Sequence, residues 1–377
     1  MDLMGYERKD RTVGFRNLVA VVPLTGCLSE IARRIASGIP AVVPVMNMMG
    51  CELLGDDFEL HRTLIANFAT NPNVGGVILL TMSCAALGGL PLAEKISAAG
   101  RYVEIINAHK IGGTFKIISA GRHVARSMAG ALAQERRREV GISSVVLGTK
   151  CGSSNANSLS FCHKALGGAC DRLVDMGATV VLSEGGEWYG CADELAGRAR
   201  DCETRKRILS AADTLRDRML ERTGFDIAAT REKQRQRSLQ HAAKAGTGPI
   251  NRFFGIGEKI PGGLGLVMLD APNTDLESMT CLSAAGCQLI AFSTGSGNVI
   301  GSPVSIVVKM TATAATWEKM RENLDLNLSK YACGMMSFEG AVKKILAHVE
   351  NALNGKQQCA EKIGHHEVFF PLQYVTF

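Results

Sequence analysis

The stretch Gly148-Thr149-Lys150-Cys151-Gly152-Ser153-Ser154-Asn155 puts a cation, a thiol, two hydroxyls and an amide side by side. The run Ser144-Val145-Val146-Leu147 leads into it, and a segment of helical apolar spacing, Leu159 to Met176, leads out. That order predicts a strand, a polar loop and a helix start, where open α/β sheets bind ligands. An ordinary βα turn would use Gly and Ser for geometry alone. A Lys and a Cys at the strand end argue for a site. Cys51, Cys84 and Cys151 share one pattern: each follows an apolar strand-like run and opens a loop. Strand ends of a parallel sheet lie on one edge. The three thiols are thus placed to converge on one iron, or to hold three irons of a cubane cluster and leave the fourth to substrate hydroxyls. An open iron would act as a Lewis acid on a carboxylate or a leaving hydroxyl. The alternative is three buried cysteines, because Cys packs as a small hydrophobe.

The elements that must position these residues alternate along the chain. Leu18 to Val22, Ala41 to Met46, Val74 to Leu80 and Tyr102 to Ile106 read as strands, and Pro44 places the second at an edge or end. Helical spacing separates them, over Phe58 to Phe68 and Leu90 to Ala99, and a long helix runs on to about Arg137. A second series starts at Ser143, with strands at Thr179 to Leu182, Leu266 to Leu269, Gln288 to Phe292 and Val304 to Lys309. Alternation of this kind predicts α/β architecture with largely parallel sheets. Two units are expected, residues 1–140 and 141–377, the second Rossmann-like, with the charged run Gln134 to Glu139 at the boundary. Residues 192 to 244 are polar and helical in character. Their basic run Arg231-Glu232-Lys233-Gln234-Arg235-Gln236-Arg237 lacks interleaved aromatics, so it reads as a solvated helical face rather than a nucleic-acid surface.

Composition narrows the function classes. With 46% hydrophobic and 21% charged residues, the chain reads as a soluble globular protein. Aromatics are 5%, so the core must be built from Ala, Val, Leu, Ile and Met. The net charge of +6 fits an anionic ligand and gives little support to nucleic acid. No apolar run has the length of a membrane span, and Met1 to Arg8 has no apolar leader core, so a cytoplasmic location is expected. Twelve cysteines in that compartment are thiols or ligands rather than disulfides. The absence of a CxxC pair argues against a zinc ribbon.

Gly148 to Asn155 resembles the Lys-Cys-Gly-Gly-Ser-Asp loop of the altronate and galactarate dehydratases, a sugar-acid dehydratase family that also includes sulfolactate sulfo-lyase. Gly5-Tyr6-Glu7-Arg8-Lys9-Asp10 and Val13-Gly14-Phe15-Arg16-Asn17 are similar to its opening signature. Asn71-Pro72-Asn73-Val74-Gly75-Gly76-Val77, Gly112-Gly113-Thr114, Leu182-Ser183-Glu184, Leu269-Asp270-Ala271-Pro272 and Thr294-Gly295-Ser296-Gly297 follow in the family's order. The resemblance implies a lyase that eliminates a β-substituent from a small anionic 2-hydroxy acid, with iron as cofactor, as Fe2+ or an iron–sulfur cluster. It also implies a small subunit of the SAF type. Related single chains carry that domain before a signature that here begins at Gly5, so a separate subunit is expected, together with a homodimer. Elimination of sulfite from a sulfonated acid, or a non-catalytic acid-binding subunit, are the alternatives.

Such an elimination needs a base for the proton beside the carboxylate and a group that stabilises the enediolate. Lys150, Glu184 and His109 are the candidate catalytic residues. Lys150 could equally bind the substrate carboxylate, and Glu184 could cap the following helix. Asn47, Gly113, Thr114, Ser153, Ser154 and Asn155 are the candidate substrate-binding residues, and Cys51, Cys84 and Cys151 the candidate metal ligands. Several positions depart from the family pattern. Asn47 replaces a His, Ala85 a Glu, His109 a Gln, Asn155 an Asp and Ser296 an Arg. Asn cannot act as a base at neutral pH, so these changes point to a different substrate, relocated acid–base roles or lost catalysis.

Overall fold

The structure, a computed structural model, describes residues 1–51 and 53–372. In chain order its strands are β1 Leu3–Glu7, β2 Val13–Gly14, β3 Leu18–Pro23, β4 Val42–Pro44, β5 Val74–Thr81, β6 Tyr102–Asn107 and β7 Arg138–Val140. They continue with β8 Val146–Gly152, β9 Thr179–Leu182, β10 Arg252–Phe254, β11 Gly265–Leu269, β12 Leu289–Thr294, β13 Ile306–Thr311 and β14 Leu326–Asn327. Among the described residues they form three sheets. The first is a small antiparallel one, β2-β1-β7, which the sequence reading did not foresee because its strands are short and carry charges. The other two are parallel, as expected for this α/β chain.

The four-stranded sheet runs β4-β3-β5-β6, with β4 at the edge, where Pro44 costs no ladder hydrogen bond. The eight residues of β5 are all buried, the continuous pattern of a parallel strand covered on both faces. The helix Thr114–Leu132 covers one face, and a Cβ at Gly76 would collide with its Met128. The missing side chain is therefore what lets the helix lie close.

The seven-stranded sheet runs β10-β11-β9-β8-β12-β13-β14. Beyond the edge strand β10, the chain begins at the centre with β8, winds outward through β9 to β11, then returns to β12 and winds the other way. This is the doubly wound order of a Rossmann-type sheet, and its direction reverses between β8 and β12. Ligands bind in the crevice outside the carboxyl ends at that reversal, here Lys150-Cys151-Gly152 beside Ser293-Thr294-Gly295.

The two parallel sheets are tied by side-chain amides. Asn73 Nδ2 donates to the carbonyls of Gln288 and Val304, and its Oδ1 accepts from the backbone N–H of Phe15. Asn71 Nδ2 donates to the carbonyls of Ser283 and Cys287. The Asn-Pro-Asn motif is thus a buried structural lock. The chain ends also cross between the units. Leu3, Val13 and Phe15 pack in the core of the seven-stranded sheet, while Val368 and Phe370 pack against the four-stranded one. No helix among the described residues is long and apolar enough to cross a membrane.

Candidate active site

Lys150 is 1% exposed at the end of β8, and its ammonium needs partners there. Nζ donates to the Cys151 carbonyl at 2.7 Å, pairs closely with Glu184 Oε1, and lies 2.7 Å from Asp275 Oδ1. Glu184 follows β9, is fully buried, and holds φ 72° and ψ 73°, a left-handed conformation costly for a residue with a Cβ. Its side chain makes no capping bond to the following helix. Instead Oε2 accepts from the Cys151 N–H at 3.2 Å and pairs with Lys244 Nζ at 2.6 Å.

Lys244 links this pair to a second carboxylate, Glu187, also at 2.6 Å. Cys151 Sγ lies 2.9 Å from Glu187 Oε2, 3.4 Å from Lys244 Nζ and 3.3 Å from His241 Nδ1. His163, fully buried on the helix His163–Asp175, turns Nδ1 to the Gln240 carbonyl at 3.0 Å and leaves Nε2 buried without a partner among the described residues.

Burial and charge compete across this cluster. Burial, then the neighbouring Glu187, raises the Glu184 carboxyl to about 7 against the pull of the two lysines. Burial would lower the Lys150 ammonium, but Glu184 and then Asp275 outweigh it and hold it protonated. Burial and Glu184 push the Cys151 thiol well up. Burial, with Lys244, lowers His163 to about 3 and keeps it neutral.

The residues expected from the sequence divide between two places. Lys150, Glu184 and Cys151 meet in this cluster. Ser153, at φ 51°, and Ser154 lie on the loop above it. Asn155 clamps that loop to the one after β12, donating to the Gly295 carbonyl and to Thr313 Oγ1, each at 3.1 Å. The others stand on loops at the carboxyl edge of the four-stranded sheet. Cys51 is exposed and lies 3.1 Å from Thr25 Oγ1; Cys84 is exposed after β5. His109 Nδ1 accepts from the Ser83 N–H at 3.3 Å, and Gly113 and Thr114 are exposed at the start of a helix. Asn47 is 1% exposed and spends its amide on the Pro23 carbonyl and the Met49 N–H, a structural pin.

Two sets of three potential ligand atoms lie within 4.8 Å of one another among the described residues: Cys151, His163 and His241, and Cys151, Glu184 and Glu187. Neither contains Cys51 or Cys84, so the expected three-thiol set is not assembled here. Two different sheets carry those thiols. An iron–sulfur cluster, which needs several thiolates, does not fit a single cysteine; a lone ion does. Sequence reasoning passed over Glu187, His163, His241, Lys244 and Asp275. The available signal was Ser238, His241 and Lys244, three polar residues at helical i, i+3, i+6 spacing, all buried although the surrounding run looked solvated.

Two family models match the chain. The C-terminal domain of D-galactarate/altronate dehydratase matches residues 142–376, and the second domain of D-galactarate dehydratase/altronate hydrolase matches residues 5–133. The (2R)-sulfolactate sulfo-lyase subunit beta of Chromohalobacter salexigens is 28% identical, over 97% of this chain and 95% of its own. The altronate dehydratases of Bacillus subtilis and Escherichia coli are each 25% identical, over 95% of this chain and 75% of theirs. Together the two family models cover residues 5–133 and 142–376, in that order along the chain. The chain belongs to the D-galactarate/altronate dehydratase family, a family of lyases.

Proposed function

We propose that this chain eliminates a β-substituent from a small 2-hydroxy acid at the reversal point of the seven-stranded sheet. The observation that carries the reading is Lys150, a buried cation held between Glu184 inside and the part-exposed Asp275 outside. The substrate carboxylate displaces Asp275 and binds Lys150. Glu184 takes the proton from C2, the C2–H pair forms the double bond, and the bond from C3 to its leaving group breaks. With hydroxide as leaving group, a proton is added to release water, and the resulting enol becomes a 2-keto acid. His109 is the proposed donor of that proton. Its Nδ1 accepts from a backbone N–H, so the ring proton sits on Nε2. A bound metal ion would supply Lewis-acid stabilisation of the enediolate charge.

A cleft of about 1030 Å³, with Pro44, Met46 and Leu276 in its lining, opens beside the end of β4. We assign Cys51, Cys84, Gly113 and Thr114 to the substrate side of the four-stranded sheet. Sulfite is the second leaving group to consider, because the sulfo-lyase relative matches over nearly its whole length. That relative is also named a subunit. The exposed Met48 and Leu54 lie on the segment after β4, and the exposed Leu90 and Phe115 lie in the first turns of the helices that follow β5 and β6; we assign these four to a small partner subunit of the SAF type. A homodimer of the large chain and a cytoplasmic location, the latter fitting twelve free thiols, complete the proposal.

A panel of 2,3-dihydroxy acids and their 3-sulfonated counterparts, with product identification by mass spectrometry, tests the reaction. A 2-keto product with loss of water or sulfite is expected. No turnover on any member, with or without a candidate small subunit, would reject the reading. Full turnover by the large chain alone, unchanged by adding that subunit, would reject the partner.

A further inference from the structure

We propose that Cys151, His163 and His241 hold one divalent transition-metal ion. Their donor atoms lie within 4.8 Å of one another, and Cys151 Sγ is 3.3 Å from His241 Nδ1. Two ligands on a tetrahedral zinc-like ion, with bonds of about 2.3 Å to sulfur and about 2.0 Å to nitrogen, stand about 3.5 Å apart, so this pair is almost at ligating distance already. The second observation is the orphaned Nε2 of His163. It is buried without a partner among the described residues, while Nδ1 is engaged by the Gln240 carbonyl. A metal-bound imidazole is held in this way, with its outer N–H donated to a carbonyl and its inner nitrogen presenting a lone pair. An unpaired buried nitrogen is otherwise expensive.

Beside the three donors, Lys150 and Lys244 pair with Glu184, Glu187 and Asp275. One thiolate and two imidazoles suit zinc, cobalt or ferrous iron rather than magnesium or calcium. Glu187, whose carboxylate lies 2.9 Å from Cys151 Sγ, is a further donor beside these three. Binding requires the His241 proton on Nε2, which displaces Arg237 from its 3.4 Å contact there. The inference stands on the donor set and does not depend on the elimination reaction.

The test uses the full chain, purified anaerobically, stripped with a chelator and titrated with Co2+ alone. One Co2+ per chain and a thiolate-to-cobalt charge-transfer band are expected. Cys151→Ser should abolish the band. His163→Gln and His241→Ala should each weaken binding at least about 10-fold. Cys51→Ser and Cys84→Ser should change neither. Far-UV circular dichroism separates ligation from folding, and if one histidine variant unfolds the other decides. The proposal is overturned if no Co2+ binds, if the band survives Cys151→Ser, if a folded histidine variant binds as the wild type does, or if Cys51→Ser or Cys84→Ser costs as much as Cys151→Ser.

Discussion

Glu184 spends more than any other residue of the site on its position: a left-handed backbone, full burial and two ammonium partners. Strain of this kind persists only where the surroundings over-determine it, and it gathers at functional positions. Replacing it with Gln keeps the shape and removes the proposed base. Glu184→Gln should lower the elimination rate by about 10²–10⁴-fold. It should also abolish exchange of deuterium at C2, read by NMR. Unchanged exchange would move the base elsewhere. Of the two roles the sequence left open for Lys150, its place beside two carboxylates favours the proposed one, binding the substrate carboxylate.

Among the elements, β8 and its loop decide the geometry. Gly152 ends the strand, and a Cβ there would lie 2.9 Å from both Asp275 Oδ2 and the Phe292 ring. Gly152→Ala should therefore push Asp275 away from Lys150. It should cost about 1–3 kcal/mol of stability, as overpacking does. A raised KM together with a lowered unfolding midpoint is the expected result. Wild-type KM and midpoint would show that the loop yields freely. The helix Arg231–Ala242 has a comparable role. It exposes its arginines while bringing Ser238 and His241 inward, so one amphipathic element supplies both a wet face and part of the site.

At the scale of the molecule, the crossed chain ends bind the two parallel sheets into one body. Phe370 stacks edge-on against Phe68 and His61, with ring centroids 5.6 and 5.5 Å away. Phe370→Ala should cost about 3–5 kcal/mol, measured by denaturant unfolding. A loss below 1 kcal/mol would mean that the tail contributes little. His61 itself is fully buried, and neither ring nitrogen has a hydrogen-bond partner among the described residues. Burial alone lowers it to about 4, whereas unfolded it titrates at about 6.5. Between those values the unfolded chain binds a proton that the folded chain refuses. The stability from neutral His61 is therefore complete above about pH 6.5 and lost as pH falls towards 4, by about 3 kcal/mol. Unfolding followed across pH 4–7 should show this slope in the wild type and a shallower one in His61→Phe.

Local chemistry alone determined much of this protein. Continuous apolar runs such as Val74 to Leu80 announced parallel strands, and the alternation of periods announced the α/β class. Lys150, Cys151 and Glu184 were visible because each stands where a strand gives way to a loop. What the tertiary structure decided was which strand ends share a sheet. Three cysteines with the same local pattern need not meet, because strand pairing is set by long-range packing that no window of sequence contains. Cys51 and Cys84 went to one sheet and Cys151 to another. Lys244 and His241, about ninety residues beyond Cys151, reached it because the end of the helix Arg231–Ala242 and the turn Ala243–Ala245 after it pack at the end of β8. Their burial reverses the polar reading of their neighbourhood: a charged side chain inside a protein must find an opposite charge, and only the folded chain could place Glu184 and Glu187 within reach.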